Sequence, residues 1–454
     1  MKRIHFIGIG GYSMSGLALW LAHHGYQVTG SDMNPSSRTE RLARHGIPVM
    51  YGHRPSNVVG ADEVVYNTDV QDDNVERQEA LRRGLRLRHR SDVLADIVNT
   101  RRAILISGSH GKTTTTTMIG TLLTQAGYDP SVLVGGEVAL FDGNVRVGGS
   151  DWVVAEADES DGTFLRYRPE IAVATNIEPE HLEHFHESFE ELVAAFQQFI
   201  QSVPPEGVAV LGIDNPPLAA LSQDPGVPTI TYGFHPQALV SAVIEHQGLD
   251  GTHGQMTIAG QSIGAFDLRV PGRHNVQNAL ATLAVAHHLH IDYRLVFETL
   301  RQFQNAHRRF QVLVPGPVRV VDDYAHHPTE IRATLEACRQ VTAGRVVVLF
   351  QPQRYVRTQH LWQDFISAFD AADVVILTEI YSPPGERPID GVSGRALADA
   401  IQARGTTTVY FVPNMFDAIP LVLPLLRPGD TFMTMGAGPV YKVGEEMSTL
   451  LAQV

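Results

Sequence analysis

The stretch RRAILISGSHGKTTTTTMIGTLLTQAG, residues 101–127, decides the fold. Residues 103–107 form a β-branched and aliphatic run that predicts a strand, and the segment that starts at Lys112 predicts a helix. Between them lies the glycine turn Gly108-Ser109-His110-Gly111. Glycines let backbone amides close around phosphate oxygens, and the next helix presents its positive end to them. The stretch therefore predicts a nucleotide-phosphate loop, although Ile106 stands where the usual motif has its first glycine.

Three residues that follow the turn carry the expected chemistry. We expect Lys112 to reach the terminal phosphates of a nucleotide and Thr113 to bind Mg²⁺, with Thr114 in the first turn of the helix. A tight strand-to-helix turn with a solvated lysine is the structural alternative. The functional interpretation is favoured because a Gly-Lys-Thr run after a strand and before a helix is the context that the motif requires.

Short strands alternate with helices on both sides of this stretch, which predicts an α/β fold with parallel sheets. The predicted strands are 4–7, 26–30, 62–66, 103–107, 152–155, 171–176, 208–212, 319–322, 346–350, 374–378, 407–412 and 431–435. The predicted helices include 14–24, 74–83, 274–290 and 328–340, and residues 229–270 predict a small antiparallel β region. New βα patterns begin near residues 100 and 316, so we predict three domains, 1–99, 100–314 and 315–454.

Composition narrows the class of protein. The chain has 454 residues with a hydrophobic fraction of 43%, which suits a globular protein of two or three domains. A formal net charge of -14 disfavours binding to nucleic acids. Cys338 is the single cysteine, so no disulfide can form within the chain, and no apolar run reaches membrane-spanning length. We therefore expect a cytoplasmic protein with no membrane insertion.

A second glycine turn lies near the start of the chain. Gly8, Gly10 and Gly11 follow the first predicted strand, and Asp32 ends the second, as in a dinucleotide-binding fingerprint. The third glycine position holds Ser13, so the match is weak, and glycines that only aid packing are the alternative. The pattern suggests that a nucleotide diphosphate lies on the following helix.

Acidic residues follow the strand at 152–155, in the sequence EADESD of residues 156–161. A phosphate-loop fold places metal ligands at this end of a strand. A solvated acidic turn is a plausible alternative for Asp158, Glu159 and Asp161, but a poor one for Glu156, which continues the apolar strand. His181, after the strand at 171–176, is either a further ligand, which would also suit Mn²⁺, or a surface histidine.

Polar residues in the last part of the chain complete the candidate set. Asn275 and Asn278 share a helix face and could contact a base or phosphate, although Asn275 could instead cap the helix. Arg354 and Arg357, just past a strand, could hold a carboxylate. Asp322 ends a predicted strand, and Tyr324 and His326 follow it before a helix that starts with proline, so these three residues are further candidates.

The order of these motifs resembles that of the Mur ligases. The chain contains GIGGYSMSG, GSHGKTTTT, EADESDGTF, TNIEPEHLEH, PGRHNVQNALA, DDYAHHPTE and QPQRYVRT in this sequence. GSHGKTTTT alone is also compatible with a folylpolyglutamate synthase. DDYAHHPTE together with EADESD resembles more specifically the alanine-adding branch of the family. The resemblance covers essentially the whole chain.

The resemblance implies a Rossmann-like domain for UDP-N-acetylmuramate, a central ATPase domain of the P-loop type and a Rossmann-like domain for the amino acid. It implies two divalent ions held with help from Thr113, Glu156 and His181, and catalytic roles for Lys112, His326 and Arg354. The nucleotide contacts it implies are the loop residues with Asn275, Asn278 and Asp322. The UDP-sugar contacts are Gly8, Gly10, Gly11, Ser15, Asp32 and Arg357, and the amino-acid contacts are Tyr324, His326 and Arg354.

The activity that the resemblance implies is ATP-dependent ligation of L-alanine to UDP-N-acetylmuramate during cell-wall synthesis. A murein-peptide ligase that attaches a tripeptide to the same sugar shares most of the motifs and stays an alternative. A nucleotide-binding switch without enzymatic activity is the alternative from another class. The protein is expected to be a monomer or a homodimer.

Overall fold

A computed structural model describes residues 2–160, 162–248, 250–382 and 386–452. Asp161 of the predicted acidic cluster lies outside the described residues. The strands form three sheets of five, ten and six strands. The α/β class with largely parallel sheets is therefore confirmed.

The first sheet has the order β3-β2-β1-β4-β5, and every neighbouring pair in it is parallel. Its strands are β1 (Arg3–Ile7), β2 (Gln27–Asp32), β3 (Val49–Tyr51), β4 (Glu63–Tyr66) and β5 (Arg86–His89). The helices of this region are α1 (Tyr12–His23), α2 (Ser37–Arg44), α3 (Val75–Arg82) and α4 (Arg90–Asn99). Because β1 lies in the centre, the turn that follows it opens at the carboxyl edge of the sheet, where α/β folds bind ligands.

The buried carboxylate of Glu76, in α3, bonds residues of this sheet. Glu76 accepts hydrogen bonds from Ser31 Oγ and Asn57 Nδ2, both at 2.6 Å, and from the Arg54 amide at 3.2 Å. The rings of His5 and His53 also contact it, with His5 Nε2 at 3.0 Å and His53 Nδ1 at 3.3 Å. Burial raises the pKa of Glu76, but these hydrogen bonds outweigh it and lower that pKa to about 2. The network therefore joins α3 to β1 and β2 through an ionised group.

The second sheet has the order β15-β14-β13-β12-β11-β10-β6-β9-β7-β8. Its strands are β6 (Arg102–Ser107), β7 (Ser131–Val138), β8 (Gly143–Arg146), β9 (Trp152–Glu156), β10 (Ile171–Ala174), β11 (Val208–Gly212), β12 (Thr229–Tyr232), β13 (Val240–Gly248), β14 (Gly251–Ile258) and β15 (Gln261–Leu268). The helices are α5 (Lys112–Gln125), α6 (Phe189–Gln201), α7 (Pro216–Leu221), α8 (Arg273–His288) and α9 (Tyr293–Gln302). The central strands are aliphatic and buried on both faces, as parallel strands covered by helices must be.

The third sheet has the order β16-β17-β21-β18-β19-β20, and only the β16–β17 pair in it is antiparallel. Its strands are β16 (Gln311–Val314), β17 (Arg319–Asp323), β18 (Val346–Phe350), β19 (Val374–Leu377), β20 (Thr408–Phe411) and β21 (Thr431–Met435). The helices are α10 (Pro328–Gln340), α11 (Tyr355–His360), α12 (Trp362–Ser367), α13 (Gly394–Arg404), α14 (Ala418–Val422) and α15 (Tyr441–Leu451).

Strongly patterned segments match the sequence predictions closely. The predicted strands 346–350 and 431–435 and the predicted helix 328–340 agree with β18, β21 and α10 to the residue. The prediction that residues 229–270 form only antiparallel strands was wrong at its start, because β12 pairs with β11 in parallel. β13, β14 and β15 follow one another through two-residue connections, which only antiparallel neighbours permit.

The described residues group into two compact units. The first unit contains residues 1–243, 255–265 and 277–301, and the second contains 244–254, 266–276 and 302–454. The predicted domains 1–99, 100–314 and 315–454 stay a proposal. Since β16 is hydrogen-bonded into the third sheet, we propose that the third domain begins before Gln311. No helix within the described residues combines the length and hydrophobicity needed to cross a bilayer.

Candidate functional site

The glycine turn between β6 and α5 has the backbone geometry that a phosphate loop needs. Gly108 has φ +137° and Gly111 has φ +85°, both in the region that favours glycine. A methyl group at Gly108 would lie 2.0 Å from Thr175 Oγ1, so the turn also needs glycine for space. No side chain caps α5 at Gly111, which leaves the positive end of a 14-residue helix facing the turn.

Residues that follow β10 hold this turn in place. The amide of Ser109 donates to the Asn176 carbonyl at 3.1 Å, and the amide of His110 donates to Asn176 Oδ1 at 2.8 Å. Thr175 Oγ1 donates to the His110 carbonyl at 2.6 Å. On the helix side, Thr115 Oγ1 donates to Asn278 Oδ1 at 3.1 Å, so the structure brings the predicted Asn278 to the loop.

Lys112 points back over the turn to an acidic partner. Its Nζ lies 2.9 Å from both carboxylate oxygens of Glu159 and donates to the carbonyls of Gly108 and Ser109. Burial lowers the pKa of Lys112, but the neighbouring carboxylates outweigh it and hold that pKa above its ordinary value. Burial also raises the pKa of Glu159 to about 7. The sequence indicated an acidic cluster but not that Glu159 pairs with the lysine.

Glu156, the last residue of β9, and Asp158 share a cavity of about 270 Å³ with Lys112 and with residues of α1 and α4. Glu156 lines it and accepts a hydrogen bond from the Gly135 amide at 2.6 Å. Asp158 lines it beside Arg90, with Arg90 Nη2 at 3.4 Å from its Oδ2. Burial raises the pKa of Asp158, but Lys112 and Arg90 outweigh it and lower that pKa.

This cavity joins predicted residues with others that the sequence did not single out. Tyr12, Ser13 and Asn144 also line it. Arg90 and Asn144 had no recognisable signal, because neither belongs to a glycine turn or an acidic cluster. Of the predicted metal ligands, Glu156 lines the cavity, whereas Thr113 and His181, both described residues, do not. His181 lies 3.8 Å from Glu183 and its side chain is 30% exposed.

The first glycine turn is closed by its own aspartate. Asp32 Oδ2 accepts a hydrogen bond from the Gly10 amide at 2.8 Å, and a methyl group at Gly10 would lie 2.7 Å from the same oxygen. Gly8 has φ +74°, and the Gly11 amide donates to the Gly8 carbonyl at 3.1 Å. Ser15 is buried and its hydroxyl donates to the Tyr12 carbonyl at 3.0 Å. These contacts shape the turn from which α1 begins.

In the second unit, Asp322 at the end of β17 is held by a buried ion pair. Arg308 Nε lies 2.9 Å from its Oδ2, and Thr434 Oγ1 donates to its Oδ1 at 2.7 Å. Burial raises the pKa of Asp322, and Arg308 opposes this effect in part. Arg308 also donates to the carbonyls of Gly436 and Gly438, so it ties the ends of β17 and β21 together. The sequence analysis did not identify Arg308.

Tyr324 and His326 follow this strand and lie close together. Their rings are 5.3 Å apart in an edge-on arrangement. His326 Nδ1 lies 3.0 Å from the Tyr324 carbonyl and 3.4 Å from Glu330 Oε2. Both neighbours of Nδ1 are acceptors, so this nitrogen carries a proton.

The two predicted arginines differ in their surroundings. Arg354 has φ +66°, its side chain is exposed, and no described residue forms an ion pair with it. Arg357 is half-buried and donates to Gln353 Oε1 at 3.0 Å. Asn275, also in the second unit, donates from Nδ2 to the Pro271 carbonyl at 2.6 Å.

The donor set of the first unit suits a hard divalent cation with a nucleotide phosphate. Carboxylate and hydroxyl oxygens are the ligands that Mg²⁺ prefers. Two carboxylates in one cavity can hold a divalent cation, while the ammonium group of Lys112 and the positive end of α5 can offset the negative charge of a polyphosphate. The fold and this site define the class of α/β proteins that bind a nucleotide through a phosphate loop.

The chain belongs to the Mur ligase family. Residues 3–102 match the model described as Mur ligase family, catalytic domain, residues 106–286 match the Mur ligase middle domain, and residues 308–438 match the Mur ligase, glutamate ligase domain.

Similar proteins span the whole chain. A UDP-N-acetylmuramate--L-alanine ligase of Symbiobacterium thermophilum is 47% identical over 99% of this chain and 95% of its own length. One of Pelotomaculum thermopropionicum is 42% identical over 98% and 97%. The crystal structure of a UDP-N-acetylmuramate-alanine ligase from Thermotoga maritima matches with a TM-score of 0.86 at 28% identity, covering 100% of both chains. A murein peptide ligase from Psychrobacter arcticus has a TM-score of 0.73 at 23% identity and shows the shared fold alone.

Proposed function

We propose that this protein joins L-alanine to the carboxylate of UDP-N-acetylmuramate in an ATP-dependent reaction of peptidoglycan precursor synthesis. The observation that carries the proposal is the cavity in which Lys112 of the phosphate loop faces Glu156 and Asp158. The names of the similar full-length proteins support the choice of alanine as the amine. They do not favour the tripeptide-attaching alternative, and a switch without catalysis needs no amine at all.

The first step activates the carboxylate of the sugar. A muramoyl carboxylate oxygen attacks the γ-phosphorus of ATP, the bond to the bridging oxygen breaks, and an acyl phosphate and ADP form. Lys112 is placed to offset the negative charge that gathers on the transferring phosphoryl group. Because Lys112 already lies between carbonyls and Glu159, its ammonium group is fixed over the turn before the reaction begins.

The second step forms the amide bond. The neutral amine of L-alanine attacks the acyl carbon, the tetrahedral adduct loses inorganic phosphate, and the ammonium proton passes to a base. We propose that Arg354 holds the alanine carboxylate, since an exposed guanidinium matches its two oxygens. Tyr324 and His326 are proposed as further amino-acid contacts, with His326 beside the reacting amine.

The remaining contacts are proposed from the same motifs. We assign the nucleotide to the loop residues 108–114 with Asn275, Asn278 and Asp322. We assign the UDP-sugar to Gly8, Gly10, Gly11, Ser15 and Asp32 with Arg357. Asp32 would act by closing the turn that receives the diphosphate, because its carboxylate bonds the Gly10 amide.

A divalent ion is proposed at the phosphate end of the nucleotide. Thr113, Glu156 and His181 would hold Mg²⁺ directly or through water, and Mn²⁺ would accept the same set because it tolerates a histidine ligand. When bound, the ion neutralises phosphate oxygens and polarises the γ-phosphorus. The use of ATP and a nucleotide sugar favours a cytoplasmic location. A monomer and a homodimer are both compatible with this chemistry.

The test removes the loop lysine. Lys112→Ala should abolish alanine-dependent release of phosphate, while Lys442→Ala, at an exposed position of α15, should leave the rate near that of the wild type. Phosphate release is measured with saturating ATP, UDP-N-acetylmuramate and L-alanine. Near-normal turnover by Lys112→Ala would contradict the assignment of the phosphate loop to the reaction.

A further inference from the structure

A largely buried arginine on α2 lacks a full set of partners. The Arg41 side chain is 11% exposed, and its Nη2 donates to the carbonyls of Phe141 at 3.0 Å and Val145 at 3.2 Å. Its Nε and Nη1 are buried without a hydrogen-bond partner. The carboxylate nearest to it, Asp142, is 4.0 Å away and 81% exposed, so water screens that pair. Burial outweighs Asp142 and lowers the pKa of Arg41.

This arginine lines a cavity of about 420 Å³ in the first unit, distinct from the catalytic one. The two cavities share no lining residue. Apolar side chains, among them Leu19 and Phe141, form one part of the lining, and Arg41, Arg146, His23 and His45 form the other. No carboxylate is among the residues that line it. Its volume lies in the range of small-molecule sites.

The second arginine is fixed in place rather than mobile. Arg146 Nη2 lies 2.5 Å from Asp129 Oδ1, and its Nη1 donates to the Pro130 carbonyl at 2.5 Å. Because Asp129 already compensates Arg146, Arg41 is the guanidinium of this lining whose charge is compensated only weakly, by the exposed Asp142. An anion beside Arg41 would supply the compensation that Asp142 provides only weakly.

We propose that this cavity binds a small organic anion, a carboxylate or phosphate group carried on an apolar body. The anionic group would lie near Arg41 and interact with it through its charge, because Nη2 already donates to two carbonyls and Nε and Nη1 are buried. The apolar body would cover Leu19 and Phe141 and remove their surface from water. The competing explanation is that Arg41 only clamps the turn from Phe141 to Val145, in which case nothing binds.

The test measures binding of phenylphosphonate by calorimetry, with benzyl alcohol as the uncharged comparison. Wild-type protein should bind phenylphosphonate and not benzyl alcohol. Ala22→Phe fills the cavity while it keeps every charge, and Arg41→Met removes the central cation. Each should weaken binding by about tenfold or more, Ala22→Phe because it occupies the space of the ligand and Arg41→Met because it removes the cation that attracts the anion. Lys112→Ala should bind as tightly as the wild type, because the phosphate loop is a separate site.

The proposal would be overturned by no binding to the wild type, by equal binding of benzyl alcohol, by unchanged binding in Ala22→Phe or in a folded Arg41→Met, or by loss of binding in Lys112→Ala. The last would assign the anion to the phosphate loop instead. If Arg41→Met fails to fold, Ala22→Phe decides alone. Equal binding of benzyl alcohol would show an apolar pocket without anion recognition.

Discussion

Replacing Gly108 with alanine should destabilise the protein and stop ATP turnover, because two separate effects act at this position. Gly108 has φ +137°, a conformation that L side chains rarely adopt. The added methyl carbon would also lie 2.0 Å from Thr175 Oγ1 and 3.0 Å from the Asn176 backbone nitrogen and oxygen. Thr175 is buried and bonds the His110 carbonyl, so it cannot turn away without loosening the loop.

The magnitude follows from these two effects. Backbone strain of this kind costs about 1–3 kcal/mol. Forced displacement of well-packed neighbours costs about 1–3 kcal/mol more. Gly108→Ala should therefore lower the free energy of unfolding by about 2–6 kcal/mol, measured by urea denaturation. Turnover should fall further than stability, since the displaced amides are those that would surround the phosphates.

Gly127, directly after α5, offers a matched control. It has φ +79° but no atom within 4 Å of an added methyl carbon. Gly127→Ala should cost only the strain of the left-handed conformation, about 1–2 kcal/mol, and should keep ATP turnover. Equal stability of the two variants, or full turnover by Gly108→Ala, would refute the assignment of the turn as a phosphate loop held by Thr175 and Asn176.

Other measurable consequences concern pH, kinetics and metal removal. The pKa of the Glu76 carboxylate is about 2 in the folded protein, against an ordinary value of 4.5. Its ionised form therefore contributes about 3 kcal/mol to the free energy of unfolding above pH 4.5, and this contribution is lost as the pH falls through about 2. Glu76→Gln should therefore lower the free energy of unfolding by about that much at pH 7 and by less at pH 3; an equal loss at both would contradict the lowered pKa. Arg354→Ala should raise the KM for L-alanine, and Arg357→Ala should raise the KM for UDP-N-acetylmuramate, each by about tenfold or more. If neither KM changes, neither arginine binds substrate. EDTA should stop phosphate release and Mg²⁺ should restore it, whereas turnover that survives EDTA would exclude a divalent requirement.

The parts of the site that sequence analysis anticipated are local in the chain. The turn around Lys112 could be predicted because strand, glycines and helix are contiguous. The pairing of Lys112 with Glu159 could not, because the acidic cluster offers several carboxylates and only the fold selects one. Arg90 could not be predicted for the same reason: its approach to Asp158 depends on where the fold places the start of α4 relative to the loop after β9.

Spacing on a helix likewise did not predict which groups of the protein each side chain bonds. Asn275 and Asn278 are one turn apart, which predicted a shared face and a shared ligand. In the structure Asn278 bonds Thr115, whereas Asn275 bonds the Pro271 carbonyl just before α8. The fingerprint aspartate behaves likewise, since Asp32 bonds the Gly10 amide of its own turn. Side-chain partners near a turn depend on backbone groups that a motif does not specify.

The most direct test of the function is product analysis with each candidate amine. The protein is incubated with ATP, Mg²⁺ and UDP-N-acetylmuramate, and then with L-alanine or with the tripeptide L-Ala-γ-D-Glu-meso-diaminopimelate. Mass spectrometry of the nucleotide sugar and phosphate release are measured together. We predict UDP-N-acetylmuramoyl-L-alanine, with one phosphate released per amide formed, only when L-alanine is present. Product with the tripeptide alone would contradict the choice of amine, and no product with either would contradict the assignment as a ligase.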